Sequence, residues 1–282
     1  MGFVLSWKAY RLDLRRKTHV MGVLNVTPDS FSDGGHYFET DRAVEHALAM
    51  DRDGADIIDI GGESTRPYSR KVSTAEEIDR VIPVIEALRG EVSTLISIDT
   101  CKSTVAAEAL KAGASIINDI SALRFDPEMG QIAAHAGVPV ILMHMKGTPG
   151  DMQNNPAYDD LIKDILAFLR DAVDRSEAAG ISRELTVVDP GIGFGKTFDH
   201  NLKIIRDLSR FKSLERPVLL GPSNKAFIGH ILEKAPNERD TGTMAAVAAG
   251  AMNGAHIIRA HNVRKAVETV KIIDAVKRGS VG

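Results

Sequence analysis

The sequence holds a single cysteine, Cys101, in 282 residues. No internal disulfide is available, and a reducing compartment, the cytoplasm, is the expected setting. No apolar run reaches the roughly 18 residues needed to span a bilayer, and Met1 to Tyr10 lacks the basic stretch and long apolar core of a secretory signal. Positive charge is not in excess, because the formal net charge is -3. A basic surface for nucleic acid is therefore not expected. The nine histidines form no H-x-x-x-H pair and no Cys/His cluster, which argues against a structural zinc site. Linkers and low-complexity segments are also missing, so residues 1–282 are expected to form one domain.

What is present is a repeated joint. A helical stretch ends in Gly, a small residue follows, and a short apolar run begins. Gly54-Ala55-Asp56-Ile57-Ile58-Asp59, Gly113-Ala114-Ser115-Ile116-Ile117-Asn118, Gly137-Val138-Pro139-Val140-Ile141-Leu142 and Gly254-Ala255-His256-Ile257-Ile258-Arg259 are its four instances. Gly after a helix accepts the left-handed conformation that closes the last turn, and the β-branched run suits a buried parallel strand. Ahead of Gly54, Ala43, Val44, Ala47 and Leu48 make an apolar stripe at helical spacing. Strands are expected near 20–25, 56–60, 95–99, 115–119, 139–144, 185–189, 217–221 and 255–260. Eight strands alternating with helices predict an α/β fold, a (β/α)8 TIM barrel over 20–282. An open doubly wound sheet is the alternative. Residues 1–19 form an extension, and alternation from Val4 to Leu14 suggests a small hairpin closing the barrel bottom.

Barrel enzymes carry their chemistry at the C-terminal ends of the strands. Here those ends read Asn25, Asp59, Asp99, Asn118 and Asp119, His144, Asp189, Ser223-Asn224-Lys225, and Arg259 with His261. One such residue is usually a cap or a satisfied core group. Polar residues at nearly every strand end point to a shared site. Asp99, Asn118 and Asp189 suit a flat heterocycle rich in N–H donors. Asn25, Lys225, Arg259 and His261 come from strands that adjoin in a closed barrel and suit a phosphate or pyrophosphate. For Arg259 the competing reading is a salt bridge inside the barrel.

Two features mislead. Pro190-Gly191-Ile192-Gly193-Phe194-Gly195-Lys196-Thr197 imitates a phosphate-binding Walker loop, but the pattern needs Gly where Pro190 stands. Its glycines are expected to let a ligand approach beneath Phe194. Cys101 follows the third strand with no base assigned to it, and is read as a small, partly buried thiol.

These segments together resemble a known family. Met21-Gly22-Val23-Leu24-Asn25-Val26-Thr27-Pro28-Asp29-Ser30-Phe31-Ser32-Asp33-Gly34-Gly35 and Asp59-Ile60-Gly61-Gly62-Glu63-Ser64-Thr65-Arg66-Pro67 are similar to the two long signatures of dihydropteroate synthases. Ser97-Ile98-Asp99-Thr100, Asn118-Asp119-Ile120-Ser121, Asp189 to Lys196 and Arg259-x-His261 follow in family order. The resemblance implies transfer of a pterin-methyl group from its pyrophosphate to p-aminobenzoate, with Mg2+, in a cytoplasmic homodimer. It implies a magnesium ligand at Asn25, pterin-binding positions at Asp99, Asn118, Asp189 and Lys225, and an anion pocket at Arg259 and His261. Thr65, Arg66 and Pro67 would help enclose p-aminobenzoate, with Phe194 and Ser223 bordering it and Asp33 on a loop over the site. The chain departs from the family at Asn224, where Arg is usual, and at Asn262, where Asp is common. A pterin-dependent methyltransferase, a Schiff-base aldolase using Lys225 and a non-catalytic pterin-binding protein are the rival readings.

Overall fold

The computed structural model describes residues 2–27, 35–64 and 71–280, with only the backbone described for 35–39. The expected Asp33, Thr65, Arg66 and Pro67 lie outside the described residues. Two short strands, β1 (Val4–Trp7) and β2 (Tyr10–Asp13), open the chain. A regular alternation follows: β3 (His19–Asn25), α1 (Gly35–Arg52), β4 (Ile57–Gly61), α2 (Thr74–Leu88), β5 (Leu95–Asp99), α3 (Ser103–Ala112), β6 (Ile116–Asp119), α4 (Met129–Ala136), β7 (Val140–Met143) and α5 (Leu161–Ala178). The second half holds β8 (Thr186–Asp189), α6 (Phe198–Arg206), β9 (Leu219–Leu220), α7 (Ala226–Leu232), α8 (Asp240–Met252), β10 (Ile257–Ala260) and α9 (Val263–Arg278).

The eight later strands pair in parallel, in the order β8-β7-β6-β5-β4-β3-β10-β9. A parallel bridge between Val188 and Val218, with Val188 N–H donating to the Pro217 carbonyl at 2.9 Å, joins the two ends into a barrel. The open doubly wound alternative is thereby excluded. β9 keeps only two ladder residues where five were expected, because Gly221-Pro222 ends the strand: proline has no N–H to give the ladder. All four glycines of the repeated joint have positive φ: Gly54 at 91°, Gly113 at 140°, Gly137 at 60° and Gly254 at 111°. Each helix thus turns back to its strand through a conformation that costs a side-chain-bearing residue about 1 kcal/mol or more.

The helices cover the barrel with one apolar face each. In α2, Val81, Val84, Ile85 and Leu88 are buried, and Ser73 caps the first turn by accepting from Glu76 N–H at 3.2 Å. In α1, Ala43 and Ala47 of the expected stripe are fully buried and Val44 and Leu48 partly so, with Met50 buried beside them. In α9 the cap is Asn262: its Oδ1 accepts from Lys265 N–H at 3.2 Å and its Nδ2 donates to Asp240 at 2.9 Å. An aspartate there could not donate, so the amide accounts for this departure from the family. β1 and β2 form the expected antiparallel hairpin, with Val4 opposite Asp13 and Trp7 opposite Tyr10. It sits at the N-terminal end of the barrel, tied by Phe3 against the His256 ring at 5.1 Å and by a 3.0 Å contact between His19 Nε2 and the Asp13 carbonyl.

Two glycines of the Walker-like loop make room for a neighbouring stretch of backbone. Gly191 has φ 70°, and a Cβ there would lie 2.0 Å from the His144 carbonyl oxygen; a Cβ on Gly195 would lie 2.5 Å from the Lys146 carbonyl oxygen. Both admit the loop after β7, while Gly193, beside Phe194, lies against Lys225, where a Cβ would be 3.1 Å from its Cδ. Gly191→Ala combines a left-handed conformation with a backbone clash, and should destabilise the fold by roughly 2–5 kcal/mol in urea denaturation. A loss below about 1 kcal/mol would show that the two loops do not depend on this contact.

Candidate functional site

Strand register sets out the site. Asn25 on β3 is level with Gly61 on β4, Gly61 with Asp99 on β5, and Asp99 with Asn118 on β6. One row at the C-terminal rim thus carries an amide, a gap, a carboxylate and an amide. Farther round, Asp189 of β8 is level with Met143 of β7. Arg259 of β10 crosses the barrel mouth. Its Nε donates to Asp59 Oδ2 and its Nη2 to Asp99 Oδ2, both at 2.7 Å. Asn118 Nδ2 donates to the same Asp59 oxygen at 2.9 Å. An ionised carboxylate only accepts, so Asn118 turns its nitrogen toward Asp59 and keeps Oδ1 for another donor.

Asp59 is fully buried, and it is a member of the candidate site that sequence reasoning passed over: it was seen as a strand end and given no role. Opposite charges on inward strand positions were the available signal, but sequence does not say which carboxylate meets which cation. Asp59 Oδ1 and Ser97 Oγ, on residues level in β4 and β5, are both buried without a hydrogen-bond partner among the described residues. Asp119, also at a strand end, has a structural role. It accepts from Ser121 N–H at 2.7 Å and Leu123 N–H at 2.8 Å, closing the turn after β6.

On the other side of the mouth, Lys225 Nζ lies 4.4 Å from the centre of the Phe194 ring, a cation–π arrangement. Ser223 Oγ is 2.9 Å from His261 Nδ1 and accepts from the His261 backbone N–H at 3.2 Å. If the serine hydroxyl gives its proton to Nδ1, the neutral ring carries its own on Nε2 and presents a donor. Asn224 has φ 58°, and its Oδ1 faces the Thr243 hydroxyl at 3.4 Å. Asn is among the few residues that accept this conformation readily, so it fits the turn on backbone grounds alone. Arg239 Nη1 donates to the Asn224 carbonyl at 3.0 Å, so a cation is present behind the turn although none stands at position 224.

An apolar wall completes the mouth: Ile120, Met143, Met145 and Met152 pack together with Phe194 and Cys101. Burial and Asp119 push the Cys101 thiol well up, in keeping with an inert packing role. Behind Phe194, buried Lys196 donates to the Phe194 carbonyl at 2.8 Å and to His144 Nδ1 at 2.9 Å. This pair, which the sequence did not suggest, ties the β8 loop to the end of β7. Burial lowers the pKa of both groups, and each is hydrogen-bonded to the other.

Electrostatics follow from burial. Asp99 is pushed up to about 7 by burial, against the pull of Arg259 and with help from Asp59, Glu77 and Asp119. Asp189 rises to about 6, again from burial, although Gly191 N–H donates to it at 2.7 Å and Lys225 and Lys196 pull the other way. Lys225 falls to about 8 through burial and the neighbouring Arg259. The mouth therefore sets acceptors beside cations, a combination that takes a polar heterocycle joined to an anion. Among the described residues no group of three or more His, Cys, Asp or Glu is placed to hold a metal.

A fold of this kind with such a mouth belongs to a defined class. The model of the pterin binding enzymes matches residues 21–261, and the chain belongs to that family. The dihydropteroate synthase of Escherichia coli is 47% identical over 257 residues, 91% of each chain. A mitochondrial folate synthesis bifunctional protein of Arabidopsis thaliana is also 47% identical, over 281 residues, and this chain spans about half (51%) of its length. The dihydropteroate synthase of Yersinia pestis, solved with a sulfonamide drug complex, superposes with a TM-score of 0.93 at 45% identity, covering 98% of this chain and 100% of that one. That of Xanthomonas albilineans with 4-aminobenzoic acid gives 0.91 at 41% identity, covering 98% and 99%. Within the pterin binding enzymes, the chain falls among the dihydropteroate synthases, which are transferases of folate synthesis.

Burial of Asp189 has a testable sign. Its pKa is raised on folding from 3.8 to about 6, so the folded state holds more protons than the unfolded one between those values. Asp189 therefore favours folding at low pH, and that contribution is lost as pH rises through about 6. Replacing Asp189 with Asn should flatten the stability curve between pH 4 and 6 (values flanking that window), measured by urea denaturation of the ligand-free protein. Parallel curves for the two proteins would contradict the burial assigned to this carboxylate.

Proposed function

We propose that this chain transfers the dihydropterin-methyl group of 6-hydroxymethyl-7,8-dihydropterin pyrophosphate to p-aminobenzoate and releases pyrophosphate. The observation that carries the reading is the single mouth in which Asp99, Asn118 and Asp189 adjoin Arg259, Lys225, Ser223 and His261. The Schiff-base aldolase and methyltransferase readings give way to the dihydropteroate synthase relatives. A non-catalytic binding protein becomes one outcome of the assay below.

In the mechanism the N–H donors of the pterin face Asp99, Asp189 and Asn118 Oδ1. The pyrophosphate faces Arg259, Lys225 and the Nε2 of His261. The arylamine nitrogen attacks the pterin methylene carbon, the bond from that carbon to the pyrophosphate oxygen breaks, and the amine then gives up a proton to solvent. An arylamine is neutral near pH 7 and needs no strong base; the demanding part is departure of the leaving group. Asp99 and Asp189 stabilise positive charge that develops on the pterin. Phe194 and Ser223 border p-aminobenzoate; by the family resemblance Thr65, Arg66 and Pro67 would help to enclose it and Asp33 would act from the first loop.

The half-buried amide of Asn25 at the rim suits a Mg2+ ion that arrives with its diphosphate. Such an ion commonly takes one or two protein oxygens and completes its shell with phosphate and water. Bound there, it would neutralise charge on the leaving group.

We also infer a homodimer and a cytoplasmic setting. In α8, Thr243, Val247, Gly250 and Ala251 pack inward, so the small-residue stretch serves the barrel on that side. Met252 of α8 and Ile272 and Val276 of α9 remain 45%, 66% and 60% exposed, and this apolar face supports pairing with a second copy. The lone, partly buried thiol and the lack, among described residues, of a helix long and apolar enough to cross a membrane are compatible with the cytoplasm.

The deciding experiment is formation of dihydropteroate and pyrophosphate from the two substrates with Mg2+. Pterin binding without product would overturn the catalytic reading in favour of a binding protein. The same assay tests Asn224. An arginine there gains a charged hydrogen bond to the p-aminobenzoate carboxylate, on the order of 1.5–3 kcal/mol, and loses roughly 1 kcal/mol to the left-handed backbone. Asn224→Arg should lower KM for p-aminobenzoate by about tenfold or less and leave the pterin substrate unchanged. A change confined to the pterin substrate would show that the two substrates are assigned the wrong way round.

A further inference from the structure

The turn that brings Lys225 into the mouth is held from behind by the start of α8. Thr243 meets the peptide ahead of Asn224: its Oγ1 accepts from Asn224 N–H at 3.2 Å and faces Asn224 Oδ1 at 3.4 Å. Arg239 meets the peptide that follows, donating from Nη1 to the Asn224 carbonyl at 3.0 Å. Asn224 stands between these two holds at φ 58°. The left-handed region is a small well for a side-chain-bearing residue, so partners on both flanking peptides define the conformation. Arg239 is itself fixed, because its Nε donates to the Lys234 carbonyl at 3.1 Å. Its guanidinium fills space that Gly229 of α7 leaves open: a Cβ there would lie 2.2 Å from Nη2 and 2.4 Å from Cζ.

Lys225 depends on this turn more than Ser223 does. Ser223 is held from β10 by its two contacts with His261. The Lys225 ammonium has no ion pair or hydrogen bond among the described residues; its stem passes Gly193 and its Nζ lies over the Phe194 ring. Its backbone N–H reaches the Pro222 carbonyl only at 3.5 Å. The plane of the peptide between Asn224 and Lys225 therefore aims the side chain, and the bond from Arg239 is the short one that sets this plane. We propose that Arg239 is a positioning residue for the pterin pyrophosphate, acting through the Asn224 carbonyl on Lys225. The proposal rests on the functional reading above, in which Lys225 faces that ligand. Methionine at 239 keeps the stem and loses both bonds. Gly229→Ala makes the same break from the other side, since the flexible guanidinium must give way to the new methyl group while the helix accepts alanine. Lysine at 239 can reach one carbonyl but lacks the fork that meets two.

The test reads Lys225 first and the ligand second. In ligand-free protein carrying isotope-labelled lysine, the NMR signal that disappears in Lys225→Met is that of Lys225, and its shift follows titration of the ammonium. Burial and Arg259 lower that pKa to about 8, with Asp189 and Asp99 pulling the other way. In Arg239→Met and in Gly229→Ala the loosened ammonium gains water, and its midpoint should rise toward the ordinary 10.5. By titration calorimetry with Mg2+, each variant should bind pterin pyrophosphate about tenfold more weakly, and the double variant no worse than either. Arg239→Lys should restore part of that affinity. In the Lys225→Met background, Arg239→Met should cost no more than roughly twofold. If Arg239→Met does not fold, Gly229→Ala decides. An unmoved Lys225 midpoint in a folded variant overturns the placement of Lys225 by Arg239, and unchanged affinity overturns its role in binding. An equal loss with and without Lys225 marks a general structural effect and also overturns the proposal. A wild-type protein that neither binds pterin pyrophosphate nor forms dihydropteroate overturns the functional reading instead, and the midpoints then still decide whether Arg239 places Lys225.

Discussion

The mouth of the barrel depends on one guanidinium. Arg259 takes two carboxylates, Asp59 and Asp99, at 2.7 Å each, and Asp59 is fully buried. Two carboxylates this close would repel one another; the cation between them makes their burial tolerable. The fixed geometry of a guanidinium allows it to meet both at once, which a lysine could not reproduce. The bridge also reaches Asn118 through their shared Asp59 oxygen, so three proposed site residues on three different strands are tied together around one buried acid. Removing one partner of such an arrangement costs about 3–5 kcal/mol, because the remaining charge is left uncompensated.

The two readings of Arg259, anion ligand and internal salt bridge, are therefore compatible. Its Nε and Nη2 are engaged by the protein, while 24% of the side chain remains open at the mouth. Around it, burial moves Asp99 and Asp189 up and Lys225 down, so each of these groups is less strongly charged than it would be in water. A ligand with N–H donors on one side and phosphate on the other returns counter-charge to all of them. In the proposed function, the pterin and its pyrophosphate would supply that counter-charge.

Much of the barrel was legible because its joints repeat. Gly54, Gly113, Gly137 and Gly254 each mark the same helix-to-strand turn, and the apolar run after each is the strand. The polar strand ends were equally visible, since so many of them together exceed what capping needs, although Asp119 serves the turn after β6. Pairing was not visible. The link from Asp59 to Arg259 spans 200 positions in the chain, and that from Asp99 to Arg259 spans 160. Backbone requirements were hidden too: the left-handed turn that suits Asn224 and the carbonyl that forces Gly191 both depend on where a distant segment passes.

The direct measurement is pterin pyrophosphate binding to Asp59→Asn by titration calorimetry, with thermal unfolding as the control. Asn in place of Asp59 removes the charge that orients Arg259 and leaves Asn118 free to turn its amide round. Binding should weaken by at least about tenfold, the equivalent of losing one charge-assisted hydrogen bond, in a protein that still unfolds cooperatively. Wild-type affinity in the folded variant would contradict the claim that Asp59 organises the site.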